Sequence, residues 1–248
     1  ATAESPVGLR RDAALGVFVT ADLSRSDLPL AQPLNPQQLK VLAQARPRSI
    51  SPLRNEDLVG QVLTLREAPN MMEATRRGRR VHTQFEMPSG APVMLDVRPV
   101  IDAAGQVAGV MSIETSLIQV ERHRHRHPSY RRAVEWLKGM CVRGEIASAA
   151  SLSPFEEMDG VLLADSQLRI SYLSGIANNL YRRLGYVQDL RGHKLSQLHT
   201  ADAEMALTAM QTREPVERET NEDGRVWIRK VLPVWAPATP RGWMEHRL

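Results

Sequence analysis

The residues best spaced for chemistry are three histidines in the run Arg122-His-Arg-His-Arg-His127. On a strand, His123, His125 and His127 would share one face; on a helix, His123 and His127 would stack one turn apart. Either arrangement offers imidazole nitrogens to a transition metal. The run is strongly basic, and no cysteine or carboxylate stands out beside it. It therefore reads as a solvated junction, with the three histidines as metal candidates and no metal site assigned. The single cysteine, Cys141, excludes a disulfide framework and any multi-cysteine metal site. It falls on an apolar seam with Val134 and Leu137, where a cysteine behaves as a small hydrophobe. No nucleophile–base order, phosphate-cradling loop or paired-carboxylate spacing is present. Asp165, Asp202, Glu204 and Glu214 read as turn and helix-surface acids, and no catalytic residue is assigned. Gln84, Asp96 and Arg98 are polar side chains inside strand-like text and are candidate ligand contacts in the first half.

The elements that must position these groups fall into two halves. In the first, Asp27–Leu34 and Leu39–Ala45 flank the Pro33-Leu-Asn-Pro36 cluster as a hairpin. A strand-like run begins earlier, at Leu15. Residues 69–78 read as a short helix closed by Gly78. Val93–Ile101 and Val107–Ile113 surround an Asp/Gly turn as a second hairpin, with Val81–Met87 as a neighbouring strand. From Pro128 to about Ala147 the period changes. Tyr130, Val134, Leu137 and Cys141 are spaced four, three and four apart, an amphipathic helix with a seam suited to a partner helix. The small polar stretch Ala147–Pro154 marks a boundary. The second half reads strand, strand, short helices, strand, strand, with turns at Asp165–Gln167 and Asn221–Gly224.

Composition limits the function. With 248 residues, 42% of them hydrophobic and 24% charged, the chain can bury a core in one or two domains. All but four of the 32 basic residues are arginine, but they are dispersed, and aromatics make up only 4%. No basic stripe interleaved with aromatics appears, so nucleic acid is not an expected partner. No apolar run approaches the roughly 20 residues needed to span a bilayer. The first residues carry no basic-then-apolar signal pattern. Lacking an initial Met, the chain reads as a fragment or a processed form.

The order of the second half, carried by Asp159-Gly-Val-Leu-Leu-Ala-Asp, Ile170-Ser-Tyr-Leu-Ser, Ala177–Gly185 and Asp189-Leu-Arg-Gly-His-Lys-Leu, resembles a PAS domain. The first half resembles the GAF-like sensor domain that precedes such a PAS domain in soluble two-component sensor histidine kinases. The matching segments are Ala21–Leu28, Ala43–Ile50, Leu58-Val-Gly60, Arg98–Gly105 and His127–Tyr130. The resemblance implies an α/β chain of the α+β type, with two domains that each set an antiparallel sheet against flanking helices. The expected division is a GAF-like domain at 1–127, a connecting helix and linker at 128–154, and a PAS domain at 155–248 lacking its last strand. It further implies a cytoplasmic signal-input region that binds a small molecule. That region would control autophosphorylation by a kinase core outside this chain, and through it a response regulator. A homodimer with helix 128–147 near its axis is expected, and the alternative is a ligand-independent dimerisation scaffold. In the second domain Tyr172, Asn178 and Tyr181 surround the first helix and are ligand candidates. No cofactor is identified.

Overall fold

A computed structural model describes residues 28–35, 37–45, 53, 56–87, 90–102, 104–146, 149, 151–153, 159–222 and 224–236. The expected strand from Leu15 and the segment after Ala236 lie outside the described residues, as does part of the 147–154 boundary.

The first half builds a six-stranded antiparallel sheet. Its strands are β1 (Leu28–Asn35), β2 (Gln38–Ala45), β3 (Val62–Thr64), β4 (Val81–Glu86), β5 (Pro92–Ile101) and β6 (Val107–Ser116). Their spatial order is β3-β2-β1-β6-β5-β4. The hairpin β5–β6 is the backbone of this sheet, pairing Val97 with Ser112, Arg98 with Met111 and Asp96 with Ile113. Its turn is set by Asp102, whose carboxylate accepts hydrogen bonds from the backbone N–H groups of Ala104 and Gln106.

The two faces of the sheet are covered differently. Side chains alternate along a strand, so Leu95, Val97 and Val110 point to one face. There they meet Leu39 and Val41 and the helix α1 (Pro69–Arg77), which contributes Met71, Met72 and Ala74. Pro69 starts α1, where its missing N–H costs nothing. Gly78, at φ +58°, ends it in the left-handed conformation. The opposite face carries Asp96, Arg98, Met111 and Ile113, and receives α2 (Leu117–Arg124) and α3 (Pro128–Val142). Both helices have side-chain caps. Ser116 accepts from the N–H of Gln119, and the His127 Nδ1 accepts from the N–H of Ser129.

Helix α3 buries Tyr130, Val134, Leu137, Met140 and Cys141, the seam expected from its spacing. That seam is not left for a second chain. It packs on Met111 and Ile113 of β6, and on Val161, Leu163, Tyr172, Leu232, Val234 and Trp235 from the second half. The expectation of a helix–helix dimer axis is corrected on this point: the chain's own sheet and its own second half supply the apolar area.

The second half contains the hairpin β7 (Leu162–Ala164) with β8 (Ile170–Leu173), helix α4 (Gly175–Arg183), a 3-10 turn at Leu195–Gln197, helix α5 (Thr200–Thr212), and the hairpin β9 (Val216–Glu222) with β10 (Arg225–Val231). Ile170, Leu190, Leu195, Ala203 and Ala206 fill the space between β8 and the helices. Gly160 permits a close approach: a Cβ there would lie 2.6 Å from the Cα of Ala177 in α4.

Candidate functional site

On the α3 face of the sheet, a group of charges interrupts the apolar layer. Arg98 projects from β5 with only 10% of its side chain exposed, and its Nη2 donates to Asp96 at 2.8 Å and to Glu135 of α3 at 2.6 Å. Arg80, just before β4, forks onto Asp96 through Nε and Nη2 at 2.5 and 2.9 Å. This is the bidentate geometry that guanidinium and carboxylate favour. Lys138, one turn beyond Glu135, reaches Glu135 at 3.3 Å and Asp96 at 3.7 Å. Burial alone would push the Asp96 carboxyl up, but the Arg80 hydrogen bond and the charges of Arg98 and Lys138 outweigh it and hold the group below its ordinary value. Glu135 behaves alike: burial opposes ionisation, and Lys138, Arg98 and Arg80 overcome it. Arg98 is desolvated too, yet Asp96 and Glu135 raise its affinity for the proton.

The α1 face is different. Val110, Ser112 and Glu114 alternate along β6 beneath α1, all three buried, on a floor made of Leu95 and Val97. The Ser112 Oγ has no hydrogen-bond partner among the described residues. An unsatisfied buried hydroxyl costs on the order of 1–3 kcal/mol.

Residues 15–134 match the sequence profile described as "Histidine kinase PdtaS, GAF domain". That part of the chain is a histidine kinase GAF domain. Among solved structures, one described as the sensor region of a sensor histidine kinase superposes with a TM-score of 0.66 at 21% identity, covering 89% of this chain and 82% of that one. At that identity the likeness is one of fold, and it extends beyond the GAF domain. A domain of a transcriptional regulator from Vibrio cholerae (TM-score 0.38, 14% identity, 58% and 99% covered) and a transcriptional regulator from Alicyclobacillus acidocaldarius (0.37, 11%, 55% and 66%) overlap too weakly to carry an argument. No curated protein is found to match the sequence.

Within the GAF domain, the structure brings two of the three candidate contacts together. Asp96 and Arg98 are neighbours on β5, committed to each other and to α3. Gln84 is exposed on β4, opposite Met94. The histidines divide into separate tasks. His125 Nε2 lies 3.1 Å from Glu121, His127 caps α3, and the His123 ring lies 6.2 Å from that of Tyr130. Glu121 is therefore the nearby carboxylate that the sequence reading of this run lacked. Among the described residues no group of His, Cys, Asp and Glu side chains is arranged to hold a metal. Burial pushes the Cys141 thiol up, which keeps it protonated and unreactive.

In the second half, Tyr172 lies against Tyr130 at 5.2 Å and His127 at 5.8 Å, at the junction with the GAF domain. Tyr181 donates to Asp202 at 2.7 Å, and Asp202 pairs with Arg229 of β10 at the same distance. Burial and the Asp202 charge raise the Tyr181 phenol above its ordinary value. Asp202 is thus a buried tie between α4, α5 and β10, not the helix-surface acid expected from its place in the first turn. Asn178 lies in α4, its N–H donating to the carbonyl of Ser174 as part of the first turn. Sequence reasoning missed Arg80, Glu135 and Lys138, which become a group only when three elements meet. It also missed Ser112 and Glu114, whose alternation with Met111 and Ile113 was the available signal.

Proposed function

We propose that the chain is the signal-input region of a two-component histidine kinase. In this reading the GAF domain receives a small-molecule signal, and the second half is a PAS-type relay. The pair sets the rate of histidine autophosphorylation in a kinase core, and hence phosphotransfer to a response-regulator aspartate. One observation carries the reading: α3 buries a single apolar cluster against both the GAF sheet and the second half. A change on the sheet therefore has a packed route to β7, β8 and the segment after β10. Small-molecule binding is assigned to the α1 face, where the buried Ser112 hydroxyl has no partner among the described residues and sits on an apolar floor. Ligand sites have this composition, mostly apolar with a few placed polar groups. Among the described residues no helix is long and apolar enough to cross a membrane. The proposed setting is the cytoplasm. A homodimer, if formed, uses surfaces other than the α3 seam, and sedimentation of the Leu137→Ala variant leaves its mass unchanged.

The test is a thermal-shift screen of the purified chain against nucleotides, tetrapyrroles, flavins and divalent metal ions. A ligand at 100 times its Kd adds about 2.7 kcal/mol of stability. For a chain of this size that raises Tm by roughly 5–10 °C. One probe class is expected to do so for the wild type and to lose the effect in Ser112→Val. A screen without any shift at saturating probe favours the ligand-independent scaffold instead.

A further inference from the structure

The charged group around Arg98 is divided so that each of its two sides keeps a counter-ion when they separate. The sheet side holds Arg80, Asp96 and Arg98, and Asp96 is already bound by both arginines. The helix side holds Glu135 and Lys138, paired with each other at 3.3 Å on one face of α3. Among the described residues three ion pairs cross between them: Arg98 to Glu135 at 2.6 Å, Arg80 to Glu135 at 3.7 Å, and Lys138 to Asp96 at 3.7 Å. A buried ion pair broken by deletion leaves an uncompensated charge, which is costly. Here a slip of α3 leaves Asp96 with its two arginines and Glu135 with its lysine. The outer side of the group is open to water, with Arg80 46% and Glu135 43% exposed, so solvent can replace the crossing contacts. The rest of the α3 seam on the sheet is apolar, Met111 and Ile113 against the helix, and dispersion contacts do not fix a register as a hydrogen bond does.

We propose that Glu135 is an ionic latch that fixes the register of α3 on the GAF sheet. When the latch opens, α3 and the second half move as one body. The second half rides on α3 through Val161, Leu163, Leu232 and Val234, through the Tyr130–Tyr172 ring contact, and through the Trp235 N–H on the Met140 sulfur at 3.4 Å. Two internally paired arrangements of one interface make a two-position element, the kind that a small change at an effector site can bias. The proposal rests on the reading of the chain as a signal-input region and names the part that moves.

Pulsed electron paramagnetic resonance on the full chain tests it. One spin label replaces Glu86 on β4 and a second replaces Gln211 on α5; a control pair at Arg183 and Gln211 lies wholly in the second half. Cys141 is buried and is left unlabelled. Unlatched molecules are expected at below about a tenth in the wild type, rising to the majority in Glu135→Lys, which places a cation against Arg98 and Lys138. The 86–211 distance distribution shifts accordingly, while the 183–211 distribution stays fixed. Wild type in 1 M salt, where the screening length falls to about 3 Å, is expected to move in the same direction. This arm decides the matter should Glu135→Lys fail to fold. An 86–211 distribution unchanged in both arms overturns the latch. A 183–211 distribution that changes in step overturns the single moving body. Neither outcome depends on whether the ligand screen succeeds, because no probe is present.

Discussion

Arg98 shows how little a residue's type reveals about its task. A polar side chain within strand-like text reads as a ligand contact, and Asp96 and Arg98 stood out on that ground. The structure spends both on each other and on α3. Their partners Arg80, Glu135 and Lys138 lie 16, 39 and 42 positions from Asp96, and no local pattern links them. What the group does to stability follows from charge. Removing Arg98 takes one of the two arginines from Asp96 and the nearest cation from Glu135, with Arg80 and Lys138 left to compensate, so Arg98→Met is expected to lower unfolding free energy by about 1–3 kcal/mol in urea titration. The pH dependence has a definite sign. The folded pKa of Asp96 lies below its ordinary value, as does that of Glu135. The unfolded chain therefore binds more protons than the folded one as pH falls. The stability these carboxylates provide is complete above about pH 5 and lost as pH drops through their ordinary values and then their lower folded ones. Thermal melts of the wild type from pH 6 to pH 3 should show a falling Tm, and Asp96→Asn should show a shallower fall over the same range. An equally steep fall in that variant would move the acid sensitivity elsewhere.

At the scale of elements, local signals were read well where they are strong. Pro69 and Gly78 bracket α1, Asp102 makes the β5–β6 turn, and the seam of α3 appears residue for residue. Helix α2 was not legible. Its text follows β6 without a break, its apolar residues are few, and only the Ser116 cap marks its start. The seam itself was legible but its partner was not, since a 4-3-4 spacing states that a stripe is buried and not against what. Because that stripe lies in the chain's own core, Leu137→Ala is expected to cost about 2–5 kcal/mol. Circular dichroism during denaturation measures this, and a cost below 1 kcal/mol would place Leu137 at the surface. The approach of Gly160, just before β7, to α4 depends on the absence of a side chain. Gly160→Ala drives a methyl into the Ala177 backbone and is expected to cost about 1–3 kcal/mol. The adjacent Ser174 cap, which accepts from the N–H groups of Val161 and Ala177, leaves little room to adjust.

For the whole molecule, the order strand, strand, helices, strand, strand after Asp159 was accessible from turns and periodicity, and so was the likeness to a histidine-kinase GAF domain from its short motifs. The joint between the two halves was not, because it is made by residues that are each unremarkable: Met111, Leu163 and the pair Val234–Trp235, from three separate stretches. That joint is the centre of the proposed function, since it packs the two halves of the chain into one apolar cluster. Amide hydrogen exchange of the wild type and of Leu137→Ala, compared segment by segment, tests it most directly. Removing the side chain at the middle of the shared cluster is predicted to raise exchange on both sides of α3 together, in β6 around Met111–Ile113 and in β7 and β8, while α5 keeps its protection. Faster exchange in β6 with β7 and β8 unchanged would show that the helix belongs to the GAF domain alone, and would contradict the shared core.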